Sequence, residues 1–394
     1  MAPGSRQFPV MSPDPDVRRR PDSSARMVAP QPMLARVWWL PLLLLVALAS
    51  AAYVVGGRPR PAAQTSGLVF ALGADARGLL WLETRQTDPA AGGSIFTLPG
   101  DGGPPRCVYP AEHVTDLAPA GERVLALEVD AEGKTGSLVD VPRAGGAAQQ
   151  LFVGLPRPKG LVADGRSAYW TEALPATMPH VWHIPALGPK VLVRSAALSG
   201  NATAGLLAVT EGSDAGFTGK LLGVVGERFY WIDFIHAAGG PGWSVARAVP
   251  LGGGTVQAVR SDPGLQTGFL DRGALYWTAP SEDAGDPLAF CCVRRASPPD
   301  AAAVTLTDWL WPGGTLCEAG GRVYYGSLDG VWAVPERLAK PRRLEPVGHG
   351  TGLVAGRAGV VYEVVGGAKG SLITGRAVAP TARLRAAWRA ISRR

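Results

Sequence analysis

The sequence predicts an all-β chain assembled from a repeated four-stranded antiparallel unit. Three observations point there: a turn-rich composition, an aromatic strand motif that recurs, and a constant pattern of turns around each recurrence. Gly 52 and Pro 35 together make up about 22% of the 394 residues, against roughly 12% in average usage. Such an excess without low-complexity character calls for many tight turns and therefore many short strands. Twelve Trp against nine Phe is a further departure, and the placement of these aromatics carries the repeat.

Seven strand-like runs align: LLWLET (79–84), RVLALEV (123–129), SAYWTEA (167–173), RFYWIDF (228–234), ALYWTAP (274–280), RVYYGSL (322–328) and VVYEVVG (360–366). With Trp81, Leu125, Trp170, Trp231, Trp277, Tyr325 and Tyr362 as equivalents, the spacings are 44, 45, 61, 46, 48 and 37 residues. Each run follows a short apolar strand and a tight Gly/Asp turn, as in GLVADGRSAYW and GFLDRGALYW. A third strand and a Pro/Gly turn come next, as in SIFTLPGDGG and SVARAVPLGGG, and then a shorter fourth strand such as QLFVG or TVQAVR. Four antiparallel strands every ~40–50 residues are the signature of blades packed around a central channel. One unit cannot bury both of its faces alone, so 57–380 is expected to be one cooperative β-propeller of seven blades, with six as the alternative. The last unit lacks a clear fourth strand, and pairing of residues 60–66 there would close the ring and remove an open edge.

The strings YWTE (169–172), YWID (230–233) and YWTA (276–279) resemble the repeats of YWTD-type and NHL-type propellers, PKGLVADGRSAYWTEA most closely. The resemblance is one of blade motif and covers about 61–380. It implies the fold and a leaning towards protein binding, and it carries over no ligand. YWTD propellers of receptors have six blades, whereas seven units are counted here. The acidic position is kept at Glu83, Glu172 and Asp233 and lost at Ala279. The aromatics read as packing between blades, and the acids as hydrogen-bond acceptors for backbone at strand ends.

The termini set the expected compartment. Residues 37–55 form an uncharged run of 19, VWWLPLLLLVALASAAYVV, bracketed by Arg36 and Arg58, close to the ~20 residues that cross a bilayer core as a helix. Trp38 and Trp39 at one end and Tyr53 at the other suit the two interfaces. Segment 1–36 has no apolar periodicity and is expected to be a disordered cytoplasmic tail, its arginines favouring the inside. Segment 37–56 is then a transmembrane helix or uncleaved signal anchor in a bacterial inner membrane, with the propeller outside. Small-x-small patterns around Ala51 leave open the alternative of a secreted chain cleaved there. The bacterial assignment rests on the Ala/Arg/Gly/Pro-rich composition. Residues 381–394 place Leu384, Ala387, Trp388 and Ile391 on one helical face and Arg385, Arg389 and Arg393 opposite, a basic amphipathic helix for an anionic membrane surface or for packing on the propeller.

Net charge of +7 sits in the flanks. Residues 1–36 carry +3, Arg58 and Arg60 carry +2 and the last fourteen residues carry +5, which leaves −3 for 61–380. A nucleic-acid binder carries its charge on the folded domain, so no nucleic-acid partner is expected. Of Cys107, Cys291, Cys292 and Cys317, a bridge from Cys292 to Cys317 is the expected pairing, because these residues lie on consecutive units, with Cys291 as the other candidate for the same bridge. Long second-to-third-strand connections gather on one face, where His113, Arg157 and His349 occupy aligned offsets before inner strands. Near the channel mouth they form a candidate ligand-binding group for an anion or a metal. His180 and His183, three apart on a strand, point to opposite faces. No catalytic motif and no cofactor motif is present. The expected function is a non-enzymatic binding module for a protein, peptide or glycan partner. A propeller enzyme of lyase or lactonase type, with its site at the channel mouth, is the alternative.

Overall fold

In the computed structural model, residues 58–383 are described, except 85–92, 101–102, 174–189, 200–202, 212–218, 236–242, 264–266, 282–290, 312–313, 328, 345–349, 358 and 368–369. The expected tail and membrane segment (1–56), with Trp38, Trp39 and Tyr53, therefore lie outside them, as does His349. Among the described residues no helix is long and apolar enough to cross a membrane. Residues 380–383 are helical, and the remainder of the expected C-terminal helix lies outside.

Among the described residues the chain runs as an antiparallel meander of 27 strands. Strand β1 (Arg60–Gln64) belongs to the last sheet rather than the first. After it come β2 (Leu68–Asp75), β3 (Gly78–Thr84), β4 (Gly93–Pro99), β5 (Arg106–Ala120), β6 (Arg123–Val129), β7 (Thr135–Pro142) and β8 (Gln149–Pro156), joined in one seven-stranded sheet. Strand β5 has two halves in this sheet. Arg106, Cys107 and Tyr109 pair with β4, while Val114–Ala120 pair with β6. It is thus the outer strand of one four-stranded unit and the inner strand of the next. Three further sheets follow in chain order. They are β9 (Pro158–Ala163) to β12 (Gly205–Glu211), with β10 (Ser167–Ala173) and β11 (Lys190–Ala197); β13 (Lys220–Val225) to β16 (Gln257–Pro263), with β14 (Arg228–Ile235) and β15 (Trp243–Pro250); and β17 (Gly268–Asp271) to β20 (Val304–Leu310), with β18 (Ala274–Pro280) and β19 (Cys291–Ala296). The next sheet holds β21 (Leu316–Ala319), β22 (Arg322–Ser327), β23 (Gly330–Ala333) and β24 (Arg342–Arg343). The last holds β25 (Gly350–Arg357), β26 (Val360–Gly367) and β27 (Gly370–Ala377), with β1 as its outer strand.

Closure takes the expected form. Arg60, Pro61, Ala63 and Gln64 pair antiparallel with Gly375, Thr374, Ile373 and Leu372. Just beyond β1, the Thr65 N–H and hydroxyl both donate to the Ser371 carbonyl, at 2.9 and 2.8 Å, and Ser371 N–H donates back to the Thr65 hydroxyl at 2.9 Å. Glu83 Oε1 accepts from Ser66 N and Gly67 N at 2.9 and 2.7 Å. The chain leaving β1 is thereby held by the first and the last unit together.

Seven apolar clusters among the described residues fill the seams between consecutive units. Leu80, Ile95, Val124 and Val139 lie between the first two; Leu125, Leu138, Ala168 and Trp170 lie between the next. Tyr169, Val191, Phe229 and Trp231 form the following layer, then Ile232, Ala246, Leu275 and Trp277. Val293, Leu306, Val323 and Tyr325, and then Tyr324, Val331, Val354 and Val361, form the fifth and sixth. The seventh, with Val364, Ile373, Ala63, Leu79 and Trp81, joins the last unit back to the first. This is the β-propeller arrangement, in which each sheet is buried on both faces by its neighbours. Trp170, Trp231, Trp277 and Tyr325 are fully buried and Trp81 is 1% exposed, so the repeated aromatics are core packing, as expected.

The acids beside them take two roles. Glu83 meets backbone, as anticipated. Glu172 and Asp233 instead accept from the indole N–H two residues earlier, Trp170 at 2.9 Å and Trp231 at 2.8 Å, and from Arg194 and Arg247 on the third strand. Glu83 accepts from Trp81 in the same way at 3.2 Å. Where Ala279 replaces the acid, Arg260 lies over the Trp277 ring at 5.0 Å, a cation–π contact.

The expected Cys292–Cys317 bridge is not formed, and none of the four cysteines is in a disulfide. They do lie on consecutive units, but their strand faces separate them. Cys292 packs with Ile232 and Ala246 of the preceding unit, whereas Cys317 packs with Val354 and Val361 of the following one. Cys291, on the opposite face from Cys292, packs in the seam with Leu316 and Tyr325.

Stability measurements check both the thiols and the closure. A reductant should leave the melting temperature of the protein unchanged, whereas loss of a structural disulfide would cost about 2–4 kcal/mol. Glu83→Ala strands buried donors at the closure and should destabilise by about 3 kcal/mol in urea unfolding. Glu122→Ala, on the surface, should cost under about 0.5 kcal/mol.

Candidate functional site

In a meander of this kind, first-to-second and third-to-fourth connections emerge at one end of every sheet. Second-to-third and unit-to-unit connections emerge at the other. At the first end, two- or three-residue turns such as Ala76–Arg77, Asp164–Arg166 and Gly226–Glu227 join inner to second strands, with Gly165 at φ 83° and Gly226 at φ 60° supplying the left-handed backbone. At the other end, residues 85–92, 174–189, 236–242 and 281–290 separate second from third strands. The inner strands begin at this same end.

Two of the three residues singled out from sequence can be placed there. His113 is exposed on β5, immediately before its inner half, and Arg157 is half-buried immediately before β9. Arg157 has φ 43° and its N–H donates to Lys134 O at 2.9 Å, so the backbone is turned sharply as it enters the third unit. The two lie on consecutive units at one end of the ring. His349, the third member, falls outside the described residues.

The structure adds a pair that sequence reasoning missed. Asp116 lies three residues past His113 on β5. Its Oδ1 accepts from Leu117 N at 2.8 Å and its Oδ2 from Leu161 N at 2.9 Å. The second bond crosses from the inner strand of the second unit to that of the third. Lys220 opens the inner strand of the fourth unit and attracts Asp116 through space. Both side chains keep some solvent contact, yet protein surrounds them. Burial pushes the Asp116 carboxyl up from 3.8 to about 6, although the Leu117 and Leu161 amides and Lys220 all pull it down. The same burial lowers the Lys220 ammonium, with Asp116 opposing. Burial thus weakens the charged form of both groups, and each can receive a polar group of a ligand entering along the axis.

A faint signal was present in the sequence. Six of the 39 basic residues are Lys (Lys134, Lys159, Lys190, Lys220, Lys340 and Lys369), and two of them, Lys159 and Lys220, open inner strands of neighbouring units. Among the described residues no group of three His, Cys, Asp or Glu side chains is arranged to hold a metal ion.

No family model matches the chain, and no curated protein matches it. Solved structures do match. An oligogalacturonate lyase from Vibrio parahaemolyticus is similar at 8% identity, covering 80% of this chain and 92% of that one, with a TM-score of 0.53. An acylaminoacyl peptidase from Pyrococcus horikoshii is similar at 9% identity over 78% of this chain, with a TM-score of 0.53, and this chain spans 50% of its length. A chain of a nidogen/laminin complex matches at 15% identity over 62% of this chain and 80% of that one, with a TM-score of 0.41. At these identities the likeness is one of fold.

Asp116 makes a pH-dependent contribution with a definite sign. Its folded pKa lies above the unfolded value, so between about pH 4 and pH 6 the native state holds a proton that the unfolded chain has released. Stability from this group is full below 3.8 and falls as pH rises through about 6. Urea unfolding at pH 4.5 and pH 7 should therefore show a smaller loss of stability with rising pH in Asp116→Asn than in the parent protein.

Proposed function

We propose that this chain is a membrane-anchored, extracytoplasmic, seven-bladed β-propeller that works as a non-enzymatic binding module for a protein or peptide partner. The observation that carries the reading is the asymmetry of the two ends of the sheets. One end bears two- or three-residue inner-to-second turns and third-to-fourth connections of six to eight residues; the other bears the longest connections, 174–189 and 281–290. A rigid ring whose longest connections gather at one end is suited to present a surface there. Seven apolar seams, the last of which joins β27 and β1 to β2 and β3, support the count of seven blades.

The anchoring half of the reading rests on the apolar run 37–55, on Trp38, Trp39 and Tyr53 at its ends, and on the arginines before it. It makes the protein a single-pass component of a bacterial inner membrane with residues 1–36 inside. A second reading, an enzyme working at the axial mouth, is favoured by one observation: the perturbed pair Asp116 and Lys220, a common mark of reactive sites.

Two measurements separate these readings. Alkaline phosphatase fused after residue 394 should be active and should stay with the membrane fraction; release into the soluble fraction would instead indicate cleavage near Ala51. Replacing 174–189 by a short Gly/Ser linker should abolish capture of the partner identified by cross-linking in intact cells, with the melting temperature unchanged. Asp116→Asn combined with Lys220→Met should leave that capture intact if the loops bind, and should remove turnover if the axial mouth is catalytic.

A further inference from the structure

The turn-bearing end of the sheets, opposite the long connections, has a feature of its own. Ion pairs tie the first unit to the second there, Arg77 to Glu122 and Arg143 to Asp75, and the fifth to the sixth, Arg272 to Glu318. Between the third and fourth units the corresponding seam opens into a cleft of about 530 Å³. Its polar lining comes from Asp164, Arg166, Ser167, Tyr169, Ser195 and Thr203. The remaining wall is small and apolar, with Ala196, Val224 and Leu251. The volume falls in the range of small-molecule sites, about 300–1,000 Å³.

The acid in this cleft is held still. Asp164 Oδ1 accepts from Arg166 N and Ser167 N, both at 2.8 Å, and Oδ2 accepts from the Tyr169 hydroxyl at 3.1 Å. Burial and the neighbouring Asp164 push the Tyr169 phenol up to about 12, so it stays protonated and keeps donating. The Tyr169 ring is itself fixed by stacking on Phe229, with centroids 4.5 Å apart. Oδ2 thus retains a lone pair with a set direction. The Arg166 side chain, exposed on the same turn, supplies donors two residues away.

We propose that this cleft binds one polyhydroxylated ring, a hexose-type sugar, with Asp164 accepting from one hydroxyl and Arg166 donating to its neighbour. The alternation of the lining suits that chemistry. A sugar ring presents hydroxyls at its edge and C–H groups on its faces, and the cleft offers Ser167, Ser195 and Thr203 hydroxyls beside Ala196, Val224 and Leu251. A carboxylate at the site disfavours a free anion, and six polar residues disfavour a purely apolar ligand. The inference is independent of partner binding by the long connections, which lie at the other end of the sheets.

The structure also supplies the variant that tests it. A Cβ at Gly205 would meet only Ser195 O at 3.7 Å and Ser195 Oγ at 3.9 Å, and no left-handed backbone is involved. The backbone at Gly205 thus accepts a Cβ, and Gly205→Leu adds an apolar side chain to the cleft wall beside Ser195. The full-length chain, in a detergent without a sugar headgroup, would be studied by saturation-transfer NMR. One arm uses methyl glycosides of glucose, galactose and mannose; the other uses a linear hexasaccharide. Transfer to a methyl glycoside supports a free-sugar site, and transfer confined to the terminal ring of the hexasaccharide supports a glycan end in the same cleft. Gly205→Leu should weaken either at least tenfold with an unchanged melting temperature, and Arg166→Gln, at an exposed position, should do so even if Gly205→Leu fails to fold. Absence of transfer in both arms, or undiminished transfer in a folded variant, overturns the proposal.

Discussion

Everything in this propeller depends on joining its first strand to its last sheet. The contacts that do so span the whole folded domain: Thr65 and Ser371 are 306 residues apart. Closing so long a loop costs chain entropy that grows only slowly with length, and the return is large, because an unclosed ring leaves one sheet edge and one apolar seam open to water. The closure is therefore bonded at several points. β1 pairs with β27, Thr65 and Ser371 exchange hydrogen bonds, and the Ser371 hydroxyl accepts from Val69 N of the next sheet at 3.3 Å. Glu83 draws the chain between β1 and β2 onto the first unit.

Within the ring, the repeated polar element serves the apolar one. Burying an indole carries its N–H out of water, and an acid two residues on, on the same strand face, accepts that hydrogen bond. The acid then needs its own compensation, supplied by backbone amides at Glu83 and by third-strand arginines at Glu172 and Asp233. Register explains why arginine comes to hand: Trp170 pairs with Arg194, Trp231 with Arg247 and Trp277 with Arg294. The motif that marks a blade in the sequence is thus a way of satisfying polar atoms inside a dry seam.

A closed ring with satisfied seams is stiff, and this stiffness lets its two ends specialise. Inner strands begin at one end, where Asp116 and Lys220 share a crowded electrostatic environment across three neighbouring units. Tight turns crowd the other end, where ion pairs close some seams and a cleft stays open in another. Neither feature needs a mobile backbone, because the sheets on either side hold each side chain where it is.

How much of this was legible beforehand depends on the range of the interaction. Strand positions, the equivalence of Trp81, Trp170, Trp231, Trp277 and Tyr325, their burial and the closing role of residues 60–64 come from local pattern: a two-residue alternation, turn residues and a repeat of similar length. Each is settled within one unit, or by the requirement that no sheet edge stay open. The partner of each side chain across a seam is not. Bulges between Val69 and Ala71, Val114 and Asp116, and Leu221 and Gly223 shift the register inside the inner strands, so alternation counted along the chain loses its parity there. Cys292 and Cys317 sit on adjacent units, as their positions imply, yet face away from one another. Asp116 feels the charge of Lys220 across an intervening sheet because the ring brings inner strands together near its axis. The Asp164 cleft exists because two turns some sixty residues apart, 164–166 and 226–227, are held side by side by strands of two neighbouring sheets, which also line it. Local sequence determined the blades and their closure. Only the tertiary ring decided which charges, thiols and turns would face each other, because those distances are set by how whole sheets pack.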